Sequence, residues 1–161
     1  MKTFYLKEKF WSWTDDFYVT DDRGQACYQV KGSFFKWAKE FTLLDLANRP
    51  VARVKNHLLS FLPRFTIELA NGQRFLLEKK LSWWRARYEV AGLGLKVKGD
   101  LLAMNFTLTK YGQEIAKVKQ EWFKMTHSYR VKVHDDQYSS LVLALVIAIE
   151  YVKDSQISRK A

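Results

Sequence analysis

Leu141-Val142-Leu143-Ala144-Leu145-Val146-Ile147-Ala148-Ile149, extended by Tyr151 and Val152 past a single Glu150, is apolar on every side, and nothing earlier in the chain resembles it. Such a segment must be surrounded by apolar material, either lipid or protein. Its length decides between them. About 12 helical residues at a rise of about 1.5 Å reach about 18 Å, short of the roughly 30 Å hydrocarbon core of a bilayer. The segment is therefore read as a helix buried inside the protein. Val142, Val146, Ile147 and Ile149 would also suit a strand, but buried strands usually stop near about eight residues, which favours helix. Asp135 and Asp136 before the run, and Lys153, Arg159 and Lys160 after it, have the signs that complement a helix dipole. Ser139 or Ser140 is placed to cap its start.

Outward from this segment, the remainder alternates. Phe17 and Val19, then Phe65, Ile67 and Leu69, then Ala86, Tyr88 and Val90, and then Tyr129, Val131 and Val133 each recur at every second place with polar residues between. That is the period of a half-buried strand. Turn residues interrupt the chain at Asp21-Asp22-Arg23-Gly24, Asn48-Arg49-Pro50, Asn71-Gly72, Gly92-Leu93-Gly94 and Tyr111-Gly112. Asn71-Gly72 is the strongest hairpin signal, because both central positions of a type I′ turn need positive φ. The runs predict about twelve strands, at 3–11, 15–21, 25–31, 33–38, 39–46, 51–61, 64–70, 73–83, 85–91, 94–99, 103–110 and 113–134, the last broken near Thr126.

Self-comparison adds a repeat. Lys7–Val19, Lys55–Ile67, Glu78–Val90 and Lys119–Val131 each run from charged or polar residues through an apolar cluster and a break to aromatic-x-β-branched. The uneven spacing points to a duplicated half, each half holding the hairpin twice. We therefore expect one domain over 1–161, with pseudo-duplicated halves at about 3–70 and 73–134 and a core helix at about 139–153. Twelve antiparallel strands with one apolar face need cover for that face. A closed barrel removes the edges but leaves a wide interior. Threading the apolar helix through it buries both. The expected fold is mainly β, an antiparallel closed barrel of about twelve strands around a buried hydrophobic C-terminal α-helix.

The Lys7-Glu8-Lys9-Phe10-Trp11-Ser12-Trp13 opening, the run Gly112-Gln113-Glu114-Ile115-Ala116-Lys117-Val118-Lys119 with its counterpart Pro50–Lys55, and Leu141–Ile149 together resemble the LURP-one-related family, over about residues 2–153. The resemblance implies the tubby-like fold shared with phospholipid scramblases. It also implies a membrane connection, since tubby domains bind phosphoinositides through surface basic residues and scramblases act at membranes. His134-Asp135-Asp136-Gln137-Tyr138 occupies the place of the acidic calcium segment of scramblases, with too few ligands for a calcium loop. No cysteine cluster for acylation is present.

The formal net charge is +10, with +5 in residues 1–80 and +5 in residues 81–161, so it is spread over the fold. Such a surface suits an anionic partner. With Ala86, Tyr88 and Val90 facing in, Arg85 and Arg87 face out. With Leu95 and Val97 facing in, Lys96 and Lys98 face out on the adjacent strand, with Lys79 and Lys80 nearby. These six residues are the candidate site for an anionic headgroup. Arg53, Lys55, Lys117, Lys119, Arg130 and Lys132 form a second group by the same logic. Trp13, Trp37, Trp83 and Trp84 are either interfacial anchors or strand-end core residues.

Enzymatic constellations are scarce. His57, His127 and His134 are far apart, and His134-Asp135-Asp136 reads as a solvated turn before the helix rather than a metal site. Cys27, on an outward phase without a basic neighbour, reads as an ordinary thiol. No phosphate loop, nucleophile elbow or dinucleotide fingerprint occurs. We expect no catalysis, no cofactor and no metal. The lone cysteine and a charged start where a signal peptide needs an apolar stretch predict a cytoplasmic protein, peripheral to the inner face of the membrane. The expected function is a non-enzymatic tubby-like module binding anionic phospholipid headgroups or a membrane surface through a basic outer face. A protein-interaction scaffold is the alternative, and a nucleic-acid binder, lacking any helix-turn-helix or ribonucleoprotein-type motif, ranks third.

Overall fold

The computed structural model describes residues 1–7, 17–32, 40–57, 59–81, 86–121 and 128–160, with backbone alone for Ala86 and 154–160. Twelve strands form one antiparallel sheet: β1 Lys2–Lys7, β2 Phe17–Thr20, β3 Ala26–Gly32, β4 Glu40–Asp45, β5 Pro50–Asn56, β6 Arg64–Leu69, β7 Arg74–Leu81, β8 Ala86–Ala91, β9 Leu95–Asp100, β10 Asn105–Lys110, β11 Gln113–Glu121 and β12 Ser128–Val133. Their order is β8-β7-β6-β5-β4-β3-β2-β1-β12-β11-β10-β9, so the sheet curls into a nearly closed barrel with β8 and β9 at its two borders. The chain ends in one helix, α1, Ser139–Lys160.

The alternation read from sequence is the alternation of the wall. Phe4 and Leu6, Phe41 and Leu43, Phe65 and Ile67, Phe75 and Leu77, Phe106 and Leu108, and Val131 and Val133 all point inward and are buried. They meet α1, whose residues from Leu141 through Ile149 are each at most 2% exposed. Helix and wall thereby bury one another, which neither could do alone. At the outgoing end of α1 the Tyr151 ring lies 5.4 Å from Phe41 and 5.6 Å from Phe65.

Several boundaries differ from the sequence reading. The segment 33–38 lies outside the described residues, and 113–134 divides into β11 and β12. The strand expected to reach residue 61 ends at Asn56, because the Ser60 amide donates to the His57 carbonyl and turns the chain. The helix extends to Lys160, past the expected 153, and it is entered through a 3-10 turn, Asp136–Tyr138. Asp135 caps that turn by accepting from the Gln137 amide, while Ser139 is already buried as the first helical residue. No helix among the described residues is long and apolar enough to cross a membrane.

Candidate functional site: the basic outer wall

The inward phase of every strand is taken by the core, which leaves the outward phase to carry chemistry. On β11 and β12, Ile115, Ala116, Val118, Val131 and Val133 are buried, and Lys117, Lys119, Arg130 and Lys132 stand outside. Strand register sets them in rungs, since directly opposed residues share a face. Thr3 pairs with Lys132 and Lys132 with Lys117; Tyr5 pairs with Arg130 and Arg130 with Lys119. The first rung continues through Thr107 to Lys98, so it crosses five strands. Thr3, Tyr5, all four cations of β11 and β12, and one carboxylate, Asp22, line a concavity of about 460 Å³. Lys117 also borders a second one of about 530 Å³, with Lys98, Thr107 and Glu114. Arg130 pairs with Glu121 at 3.0 Å. Lys98, Lys117, Lys119 and Lys132 form no ion pair with a described residue.

The six sequence candidates do not form one patch. Arg85 lies outside the described residues. Lys80 and Arg87 are cross-strand partners on β7 and β8, both exposed, but each is held by a carboxylate: Lys80 by Glu78 at 2.7 Å and Arg87 by Glu89 at 3.0 Å. Lys79 pairs with buried Tyr88 and follows Phe75 and Leu77 in phase, so it belongs to the inward side at the rim of the barrel. Lys96 and Lys98 are exposed on β9. They were expected on the second strand of a hairpin with Arg87, but β8 and β9 share no ladder among the described residues. Three consecutive left-handed residues, Gly92, Leu93 and Gly94 at φ 108°, 54° and 66°, carry the chain across the seam instead.

The second sequence group also divides. Arg53 and Lys55 lie on β5, with four strands between β5 and β12 along the sheet, and so do not join Lys117, Lys119, Arg130 and Lys132. Arg53 sits opposite Glu68, itself 3.3 Å from Arg74. Sequence reasoning supplied the phase of each residue. Which strands become neighbours depends on closure of the whole sheet, and no local signal encodes that.

Two basic walls result. Around β6 to β8, Arg64, Lys80 and Arg87 face Glu78 and Glu89, with Lys79 on the inward side of the rim; on β11 and β12 four cations stand with Glu114 and Glu121. Their net charges, +1 and +2, differ by a single unit. Glu78 is shared: Lys80 first, and then Arg64 at 2.7 Å, hold its carboxyl below the usual range against the opposing effect of burial.

The remaining candidates have other employment. His134 Nε2 lies 2.8 Å from Glu114, Asp135 caps the 3-10 turn, and Asp136 pairs with Lys2 at 2.9 Å. Cys27 is half-buried, and burial pushes its thiol up, away from thiolate chemistry. Trp13, Trp37, Trp83, Trp84 and His127 lie outside the described residues.

A family model described as LURP-one-related matches residues 2–150. The chain is 24% identical over 148 residues to the uncharacterized protein YxjI of Bacillus subtilis strain 168, covering 92% of this chain and 91% of that one. It also resembles the X-ray structure of an Arabidopsis thaliana protein, AT5G01750, with a TM-score of 0.61 and 16% identity, covering 94% of this chain and 91% of the other. The latter likeness is one of fold.

Proposed function

Since the chain belongs to the LURP-one-related family, whose fold fills its interior with its own helix, we propose that it is a non-enzymatic module that adsorbs to anionic phospholipid surfaces through its basic outer wall. One observation carries this reading: Lys98, Lys117, Lys119 and Lys132 share the outward face with no carboxylate pairing them among the described residues. An unneutralised cation near an anionic leaflet contributes about 1 kcal/mol, so the three net charges of this face, Lys98 included, give roughly a hundredfold in partition. The module's place on this reading is the inner face of the membrane, where anionic lipid and a reducing milieu coincide.

Cosedimentation with vesicles tests it. The protein is expected to bind phosphatidylserine-containing vesicles, to leave pure phosphatidylcholine vesicles in solution, and to lose binding as salt rises from about 0.05 M to about 0.5 M, as the Debye length shrinks. Equal binding to neutral vesicles would remove the electrostatic mechanism. Displacement from the vesicles by an oligonucleotide at lower concentration than soluble headgroup would move the protein to the nucleic-acid class.

A further inference from the structure

We propose that the loop joining β5 to β6 is a membrane wedge, its Leu59 and Phe61 side chains entering the acyl layer of an anionic bilayer while Arg64, Lys79, Lys80 and Arg87 meet the headgroups. The inference rests on the lipid reading above but places first contact at this loop, so that the lysines of β9, β11 and β12 add only to the long-range field of the molecule.

Leu59 is 103% exposed and Phe61 98%, and Leu81 at the end of β7 is 62% exposed at the same end of the barrel. Scattered exposed apolar residues are ordinary on a soluble surface. Two almost fully exposed ones, two positions apart in one loop, form an apolar patch that no described residue covers. The loop is also fixed at its foot. The His57 amide donates to the Arg64 carbonyl at 2.9 Å, the Ser60 amide to the His57 carbonyl at 3.2 Å, and the Lys79 amide to the Pro63 carbonyl at 3.0 Å. His57 Nε2 lies 2.6 Å from Thr66 Oγ1. The tip therefore projects from a hydrogen-bonded base tied to both β6 and β7.

The collar supplies the choice of occupant. Arg64 follows the loop directly, Lys79 is bonded to it through the backbone, and Lys80 and Arg87 stand on the next two strands. An apolar tip inside a cationic collar matches a surface with anionic groups above hydrocarbon. A protein pocket would need that same layering of charge over grease. Charge alone does not separate the two walls, which differ by one unit. The apolar tip does, because its loop is tied to β7, from which β11 is four strands away across the seam.

The test uses the full chain and three variants on phosphatidylserine-containing vesicles: Leu59→Ser with Phe61→Ser at the tip, Lys80→Glu with Arg87→Glu beside it, and Lys117→Glu with Lys132→Glu on the far wall. The tip variant is expected to melt like the wild type and to bind roughly a hundredfold more weakly or worse, the scale of two apolar side chains kept in water. The neighbouring reversal is expected to weaken binding more than the far one. An environment-sensitive fluorophore on Phe61→Cys, in a Cys27→Ser background, is expected to be quenched by brominated acyl chains. Vesicle-bound protein whose fluorophore is not quenched overturns the wedge and leaves the lipid reading standing. So does a far-wall variant that loses binding while the tip variant keeps it. Wild-type protein that ignores anionic vesicles ends both. A tip variant that instead dissolves a dimer, with vesicle binding intact, makes the tip a contact between copies and overturns the proposal.

Discussion

A carboxylate among hydrocarbon side chains needs a donor, and Glu150, 1% exposed on α1, finds one in the Tyr129 hydroxyl at 2.5 Å. Lys153 donates to that hydroxyl oxygen at 3.0 Å, so β12 and one turn of the core helix are joined through polar atoms. Tyr129→Phe is expected to cost about 1–3 kcal/mol, the range for a buried group that loses a partner. An unshifted urea midpoint would show that the hydroxyl contributes nothing. Glu78 gives a pH signature. Its pKa is depressed in the folded state by Lys80 and Arg64. Its stabilisation is therefore present above the ordinary carboxylate pKa and is lost as pH falls through the lowered value. Glu78→Gln should flatten the loss of melting temperature between about pH 4.5 and the acid limit. An acid limb as steep as the wild type's would assign that loss to other carboxylates. Neither pairing was legible in the sequence, where Glu78 and Arg64 are fourteen positions apart and Glu150 reads only as a break in an apolar run.

Among elements, the helix and the strand phases follow from local pattern, and the seam does not. Leu145 is fully buried within α1, so Leu145→Ala should cost about 2–5 kcal/mol through lost transfer energy and a cavity. Measured by the same unfolding curve, Leu59→Ser should stay within about 0.5 kcal/mol, because no described residue covers that side chain. If the two costs were alike, the inside and the outside of the barrel would be wrongly assigned. Gly99 on β9 holds φ at 115°, and a Cβ there would come within 2.6 Å of the Asn105 carbonyl oxygen. Gly99→Ala should therefore destabilise by roughly 1–3 kcal/mol. The hairpin at Asn71-Gly72 was legible because its chemistry is local, but it is not the two-residue type I′ turn expected. Gly72 sits at φ 81° while Asn71 does not take positive φ; the Gly72 amide donates to the Leu69 carbonyl, and the Asn71 side chain accepts from the Gln73 amide. The β8–β9 connection also carries two glycines, yet the same residue type that tightens one hairpin separates two strands at the seam. Its outcome depends on what the rest of the sheet presents.

For the whole molecule, barrel and helix are one core. A chain truncated after Gln137 would present twelve inward-facing rows of apolar side chains to water. It should lose cooperative thermal unfolding and bind hydrophobic dyes, whereas a well-formed truncated barrel would contradict the mutual burial. Salt-sensitive adsorption to anionic vesicles belongs to this scale too, since the field of a +10 chain sums over both walls. By itself, the sequence determined the apolar helix, the two-residue phase of the strands and hence which lysines and arginines lie outside, because periodicity and burial act within a few residues. Tertiary structure alone decided which strands border the seam, which cations meet a carboxylate, and that Leu59 and Phe61 project into water at the rim. Those are matters of sheet closure, in which residues far apart in the chain compete for the same neighbours.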